Sequence, residues 1–312
     1  MRWYLVCMVV CIGLWPALSQ AQYEYRLITL PFAGAQQATV TGYVAGEISG
    51  TYLDARGQQH GFTEFCSGEI TPLINVVARK RSTTASAGWY LAPTQQVTGW
   101  LLHDGTFTPI PGPRDAQNRL PIMTELLDVN DTPVAVGAYR SADGRHHGLR
   151  YSLNPETFTT LDAPEAVHTT LLQISNQGWI LARSENAQDQ TTYWVWDNGT
   201  FTPLALPDVP LLSLVGRLDD GRLIGNSGPN GFIAQGDAVT LIRVPDSTVT
   251  QIVSHTAEGV LLGRVVHAEG ELLIERGLLA LPEGMADPCA VAREGAPQEC
   301  PPRKARHHRR HH

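Results

Sequence analysis

The chain returns six times to one short phrase: two or three turn-prone residues, often ending in Gly, then an apolar triplet, then Gly or Ala. The copies end at Gly50, Ala92, Gly137, Ala182, Gly225 and Gly263, at spacings of 42, 45, 45, 43 and 38 residues. Self-similarity at such a period marks a repeat architecture and constrains the fold more than any composition does. Residues 175–182, 218–225 and 256–263 are the clearest copies, and in residues 130–137 Pro133 stands where the turn Gly would be. Asn, Asp and Gly tolerate the positive φ that tight hairpin turns demand. The apolar triplet reads as a short buried strand, and the closing Gly or Ala as a place where a neighbouring backbone comes close.

A second pair of strands follows each copy. Its first half holds Gly61-Phe62, Gly99-Trp100, Gly148-Leu149, Tyr193-Trp194, Gly231-Phe232 and Leu272-Leu273. Its second half is rich in Thr and β-branched residues. Gly105-Thr106-Phe107-Thr108-Pro109 and Gly199-Thr200-Phe201-Thr202-Pro203 match letter for letter. Helical periodicity is nearly absent, and 29 Gly and 21 Pro punctuate the chain. A four-stranded unit at this period predicts an all-β fold, a β-propeller. One small twisted sheet cannot hide its apolar faces, whereas blades stacked in a ring cover each other. A β-sandwich would not repeat itself six times, and a linear solenoid has shorter turns. The turn-triplet phrase counts six blades. The Thr-rich strand counts seven, from residues 25–31 at the start to residues 277–282 at the end. An N-terminal strand that completes the last blade reconciles the two counts; seven blades would need one that the sequence does not show.

On these motifs the chain resembles the extracellular HAF-type repeat proteins of bacteria. His60-Gly61-Phe62 and His147-Gly148-Leu149 carry the first element of that repeat, and Asn176-Gln177-Gly178 carries part of another. The likeness spans residues 23 to 284, and Tyr193-Trp194 departs from it by lacking both His and Gly. The resemblance implies a repeat fold and export, and says little about activity.

Residues 1–21 read as a secretory signal peptide: Arg2, an apolar stretch from Trp3 to Leu14, and small residues at Ser19-Gln20-Ala21. The expected organisation is therefore a signal peptide at 1–21, a propeller over 22–285, and an irregular C-terminal segment over 286–312. The expected address is secreted or periplasmic in a bacterium, with no transmembrane segment. In an oxidising compartment Cys289 and Cys300 form a candidate disulfide, and Cys66 reads as a small buried hydrophobe. With Arg2 and the five basic residues of 303–312 set aside, 17 basic residues face 30 acids, a balance of −13 over residues 22–302. An acidic body argues against nucleic acid as a partner. The tail is basic and His-rich; His307, His308, His311 and His312 have helical metal-ligand spacing, although the adjacent cations oppose a metal there.

No phosphate loop, nucleophile elbow or metal-binding helix motif is present, and nothing in the sequence calls for a cofactor. His60 and His147 recur at one repeat position, which favours a structural bond within the blade. His103, His168, His255 and His267 read as surface or turn residues, and Asp128, Asp131, Asp219 and Asp220 as turn acids. Trp194 and Trp196 share a strand face, while Trp89, Trp100 and Trp179 fall in other repeats. No catalytic residue is assigned. The sequence points to an exported, monomeric binding or scaffold module that meets a protein or glycan through loops on one end of the ring. Two other readings are a glycan hydrolase or lyase with a site in the central funnel, and a surface-docking protein that uses its basic tail.

Overall fold

The computed structural model describes residues 23–285, apart from 45, 65–69, 74, 75, 83 and 271. The segment expected to be a signal peptide, all five cysteines and the basic tail lie outside the described residues. Among the described residues there are 24 strands and no helix.

The strands form six antiparallel sheets of four. Blade 1 holds β2 (Gln36–Val44), β3 (Glu47–Leu53), β4 (Gln59–Glu64) and β5 (Ile70–Leu73). Blade 2 holds β6 (Val76–Arg81), β7 (Ala85–Leu91), β8 (Val97–His103) and β9 (Thr106–Ile110). Blade 3 holds β10 (Met123–Val129), β11 (Val134–Arg140), β12 (His146–Leu153) and β13 (Glu156–Thr160). Blade 4 holds β14 (His168–Ile174), β15 (Ile180–Glu185), β16 (Thr191–Asp197) and β17 (Thr200–Pro203). Blade 5 holds β18 (Leu212–Arg217), β19 (Leu223–Ser227), β20 (Asn230–Gln235) and β21 (Ala238–Ile242). Blade 6 holds β22 (Ser247–His255), β23 (Leu261–Glu269), β24 (Leu272–Pro282) and, as its fourth strand, β1 (Tyr23–Ile28). The first strands of successive blades touch one another all the way round, β22 closing onto β2. The protein is a six-bladed β-propeller, and its N-terminal strand completes the last blade.

The apolar triplets are buried because the second strand of each blade has a neighbour on both faces. Ile180 and Ala182 pack with β11 and β14 residues between blades 3 and 4, while Leu181 between them faces Tyr193, Leu214 and Phe232 towards blade 5. Val260 and Leu262 face blade 1, and Leu261 faces blade 5. Side chains alternate across a strand, so an unbroken apolar run is what a doubly covered strand requires.

The small residue that closes the phrase has a cause in the first strand. All six first strands carry a β-bulge at one equivalent place, at Thr41, Arg79, Leu127, Leu172, Val215 and Val253. In the five blades with Gly opposite the bulge a Cβ would overlap a carbonyl oxygen, such as that of Val77 at Gly88, Glu125 at Gly137 or Gln251 at Gly263, whereas blade 4 has Ala182 there. In blades 1, 2 and 5 the missing side chain also leaves room for the aromatic ring paired with it, Phe62, Trp100 and Phe232. This corrects the blade 2 copy. Gly88, not Ala92, is the closing residue, and Ala92 lies one hairpin later, its N–H donating to Gln96 O at 2.9 Å.

Two further positions differ from the sequence expectation. In blade 6 the third strand is one long β24, in which Gly277-Leu278, not Leu272-Leu273, pairs with the closing Gly263. Residues 277–282 therefore belong to a third strand, and the seventh Thr-rich copy is not a fourth strand. Leu272 and Leu273 sit at the tip of the β23–β24 hairpin, beyond the end of β1, and are exposed.

Candidate binding site

The repeated turn phrase builds one end of the ring. In blades 4, 5 and 6 the turn closes alike, with Gly178, Gly221 and Gly259 donating to Ser175, Leu218 and Thr256 carbonyls at 3.1, 2.9 and 3.1 Å. These glycines have φ of 94°, 90° and 85°, the left-handed geometry that ends this hairpin type. Pro133 in blade 3 has no N–H to give. There the Asn130 side chain takes over, its Oδ1 accepting from the N–H groups of Thr132 at 3.2 Å and Val134 at 3.0 Å.

The turns are bonded to each other across blades. Asp131 N–H donates to Asn176 Oδ1 at 3.0 Å and Asn176 Nδ2 returns a bond to Asp131 Oδ2 at 2.7 Å. Asn130 Nδ2 donates to Ser175 O at 3.1 Å, and Thr84 Oγ1 to Asp131 O at 2.9 Å. One residue deeper, Gln173 clamps the backbone of Arg217, donating to its carbonyl and accepting from its N–H, both at 2.8 Å. Asp128 is buried, and its two oxygens accept from Val129 N at 2.8 Å and Ile174 N at 2.9 Å. It lies inside β10 and braces blade 4, so it is not the turn acid that its sequence context suggests.

Within this braced rim lies a cavity of about 130 Å³ on the ring axis, reached by Asp131, Asn176, Arg217, Asp219 and Glu258. Arg217 and Asp219 also line a shallow groove of about 380 Å³ between blades 4 and 5, with Gln177, Trp179 and Asp197. The Arg217 guanidinium lies over the Trp179 ring at 4.9 Å from its centroid. Stacking fixes the plane of the cation and leaves its edge of N–H donors turned outward. Asp220, next to the groove, is occupied with Arg222, accepting from its N–H at 3.0 Å and its Nε at 2.8 Å. Those bonds hold its carboxyl below the usual range.

The recurrent histidines do the structural work expected of them. His60 Nε2 lies 3.2 Å from Asp54 Oδ2, and His147 Nε2 lies 3.2 Å from Ser141 Oγ, each the residue that starts the preceding turn. His147 Nδ1 also meets Asp162 Oδ2 at 2.7 Å. Ser141, His147 and Asp162 thus stand in the order of a hydrolytic triad. Ser141 Oγ, however, is engaged with Asp143 and with Arg145 O inside its own turn, and blade 1 fills the same place with an aspartate. His255 is buried in β22 against Gly216 and is not a surface residue. His168 Nδ1 accepts from His146 N at 3.1 Å. Trp194 and Trp196 pack on the blade 3–4 core, as their shared face requires. Among the described residues no group of three or more His, Cys, Asp or Glu is placed to hold a metal ion.

The sequence contained the signal for this site, in the polar residues of the repeated turns; it did not show that four of those turns converge. No protein-family description and no curated protein matches the chain. Among solved structures it is similar to a mutant of AofleA from Arthrobotrys oligospora, with 13% identity over 85% of this chain and 91% of that one, TM-score 0.47. It is similar to the β-propeller domain of the Trilobed protease from Pyrococcus furiosus, with 11% identity over 80% and 84%, TM-score 0.47. It is also similar to the six-bladed fungal lectin of Aleuria aurantia, with 10% identity over 81% and 97%, TM-score 0.46.

Proposed function

We propose that the chain is an exported, non-enzymatic binding module whose ligand is a neutral glycan held at the turn end of the ring, across the funnel mouth and the Trp179 groove. The juxtaposition of donors and acceptors supports this most. Arg217 and Gln177 offer N–H groups, Asp219 and Asp197 offer carboxylate oxygens, and all four line one groove beside an indole. A sugar hydroxyl both donates and accepts, so it needs both kinds of partner at short range. The hydrogen bonds between turns hold the groove before any ligand arrives, which lowers the ordering cost of binding. The acids around Arg217 discourage an anionic ligand at this mouth. Catalysis is the weaker reading, because Asp128 spends both oxygens on backbone amides and Ser141 is held within its own turn.

A glycan array probed with residues 22–312, followed by calorimetry on retained sugars, tests the proposal. Arg217→Ala and Asp219→Ala are each expected to weaken binding by roughly tenfold or more, the value of a hydrogen bond to a charged group. Retention of no glycan, or retention untouched by both variants, overturns it. Release of new reducing ends on incubation would make the module an enzyme.

A further inference from the structure

The six bulges place six side chains on the ring axis, where Thr41, Arg79, Leu127, Leu172, Val215 and Val253 line a cavity of about 250 Å³. Four of the six are aliphatic and, with Leu214, give the wall an apolar stretch, while Asp128, Gln173, Arg183, Ser213, Ser254 and His255 make the rest of it polar. Arg79 is largely buried, its Nε has no hydrogen-bond partner, and it makes no ion pair among the described residues. A guanidinium stays protonated in a protein, and a buried charge without a partner is costly. Glu125 on the adjoining first strand attracts Arg79 without pairing with it. Burial pushes the Glu125 carboxyl up and the Arg79 guanidinium down, so each charge is poorly compensated. The other charges on this wall are already satisfied. Arg183 pairs with Glu185 at 2.7 Å, and Asp128 sits on two backbone amides.

We propose that the central channel is a second binding site, specific for a small organic carboxylate with an apolar body. The carboxylate would meet the Arg79 fork and the body would fill the space between Leu127, Leu172, Val215 and Val253. An apolar cavity of about 150 Å³ takes benzene, so this one has room for a ring with a short acidic arm, on the order of ten non-hydrogen atoms. The planar guanidinium matches a carboxylate with two parallel bonds. This site lies deeper than the groove of Trp179 and shares neither Arg217 nor Asp219 with it.

Calorimetric titration of residues 22–312 with phenylacetate tests the proposal, with phenethyl alcohol and inorganic phosphate as comparisons. One phenylacetate is expected per chain, with both comparisons bound far more weakly. Arg79→Met is expected to weaken phenylacetate by roughly ten- to hundredfold, and Glu125→Gln to tighten it by removing the competing acid. Arg217→Ala is expected to leave it unchanged, which separates this site from the glycan groove. No phenylacetate binding, equal binding of the alcohol or of phosphate, or equal binding in Arg79→Met would each overturn the proposal. Should Arg79→Met not fold, unaltered affinity in Glu125→Gln overturns it alone.

Discussion

Single atoms decide much of this fold. The closing residue lacks a side chain in five of the six repeats because a bulged neighbour puts a carbonyl oxygen where Cβ would be, as Glu125 O does at Gly137; blade 4 has Ala182 there. Gly137→Ala should cost about 1–3 kcal/mol by overpacking. Ala182→Gly, at the equivalent place in blade 4, should cost only about 0.5–1 kcal/mol through backbone entropy. Urea unfolding of the two variants checks the contrast; equal costs would refute the crowding argument. His146 supplies a second case. Burial, with the nearby His168 as a smaller cause, lowers its pKa from the ordinary value near 6.5. A histidine disfavoured as a cation in the native state takes up its proton more readily when unfolded. Its contribution is therefore present above about pH 6.5 and is lost as the pH falls below that value. Melting temperatures between pH 8 and 5 should drop on acidification, and the drop should shrink in His146→Gln. Below about pH 4 the turn acids Asp54, Asp143 and Asp220, all held low by hydrogen bonds, add a second loss in the same direction.

Strands carry the logic of assembly. β1 is the chain's first described strand and also the outer edge of its last blade, paired with β24 from Tyr23–Pro282 to Ile28–Gly277. Its Tyr23, Tyr25 and Leu27 pack towards blade 5, while Ile28 packs with blade 1. Removing residues 23–28 should uncover the edge of β24 and both adjoining cores. Light scattering is expected to report association through that edge, and the urea midpoint to fall. A monomer with unchanged stability would show that β1 is ornamental. The second strands were legible in the sequence because a doubly covered strand must be apolar without interruption. The third strands were partly legible, through Gly-aromatic pairs such as Gly61-Phe62. In blades 2 and 6 the reading slipped. Gly88 resembles a turn glycine because Trp89-Tyr90-Leu91 follows it as a false triplet. β24 exceeds the usual blade strand by a hairpin extension, and its two halves read as two strands.

The closed ring makes the six blades interdependent. Each core is shared between neighbours, and β22 meets β2 to complete the circuit. Unfolding in urea should therefore be one cooperative transition, with tryptophan fluorescence and circular dichroism coinciding; separate midpoints would mean that blades open independently. The sequence alone was enough to establish a repeat of four strands, six copies of it, and a strand borrowed from the other end of the chain. Those properties follow from local chemistry, namely turn residues, apolar runs and small residues at a regular period. The polar mouth and the channel were out of its reach. Their residues lie about 40 positions apart along the chain, and each looks like an ordinary turn acid or strand aliphatic in its own repeat. Closure into a ring turned six bulges inward and brought four turns together, so Arg79 and Arg217 acquired surroundings that no stretch of sequence contains.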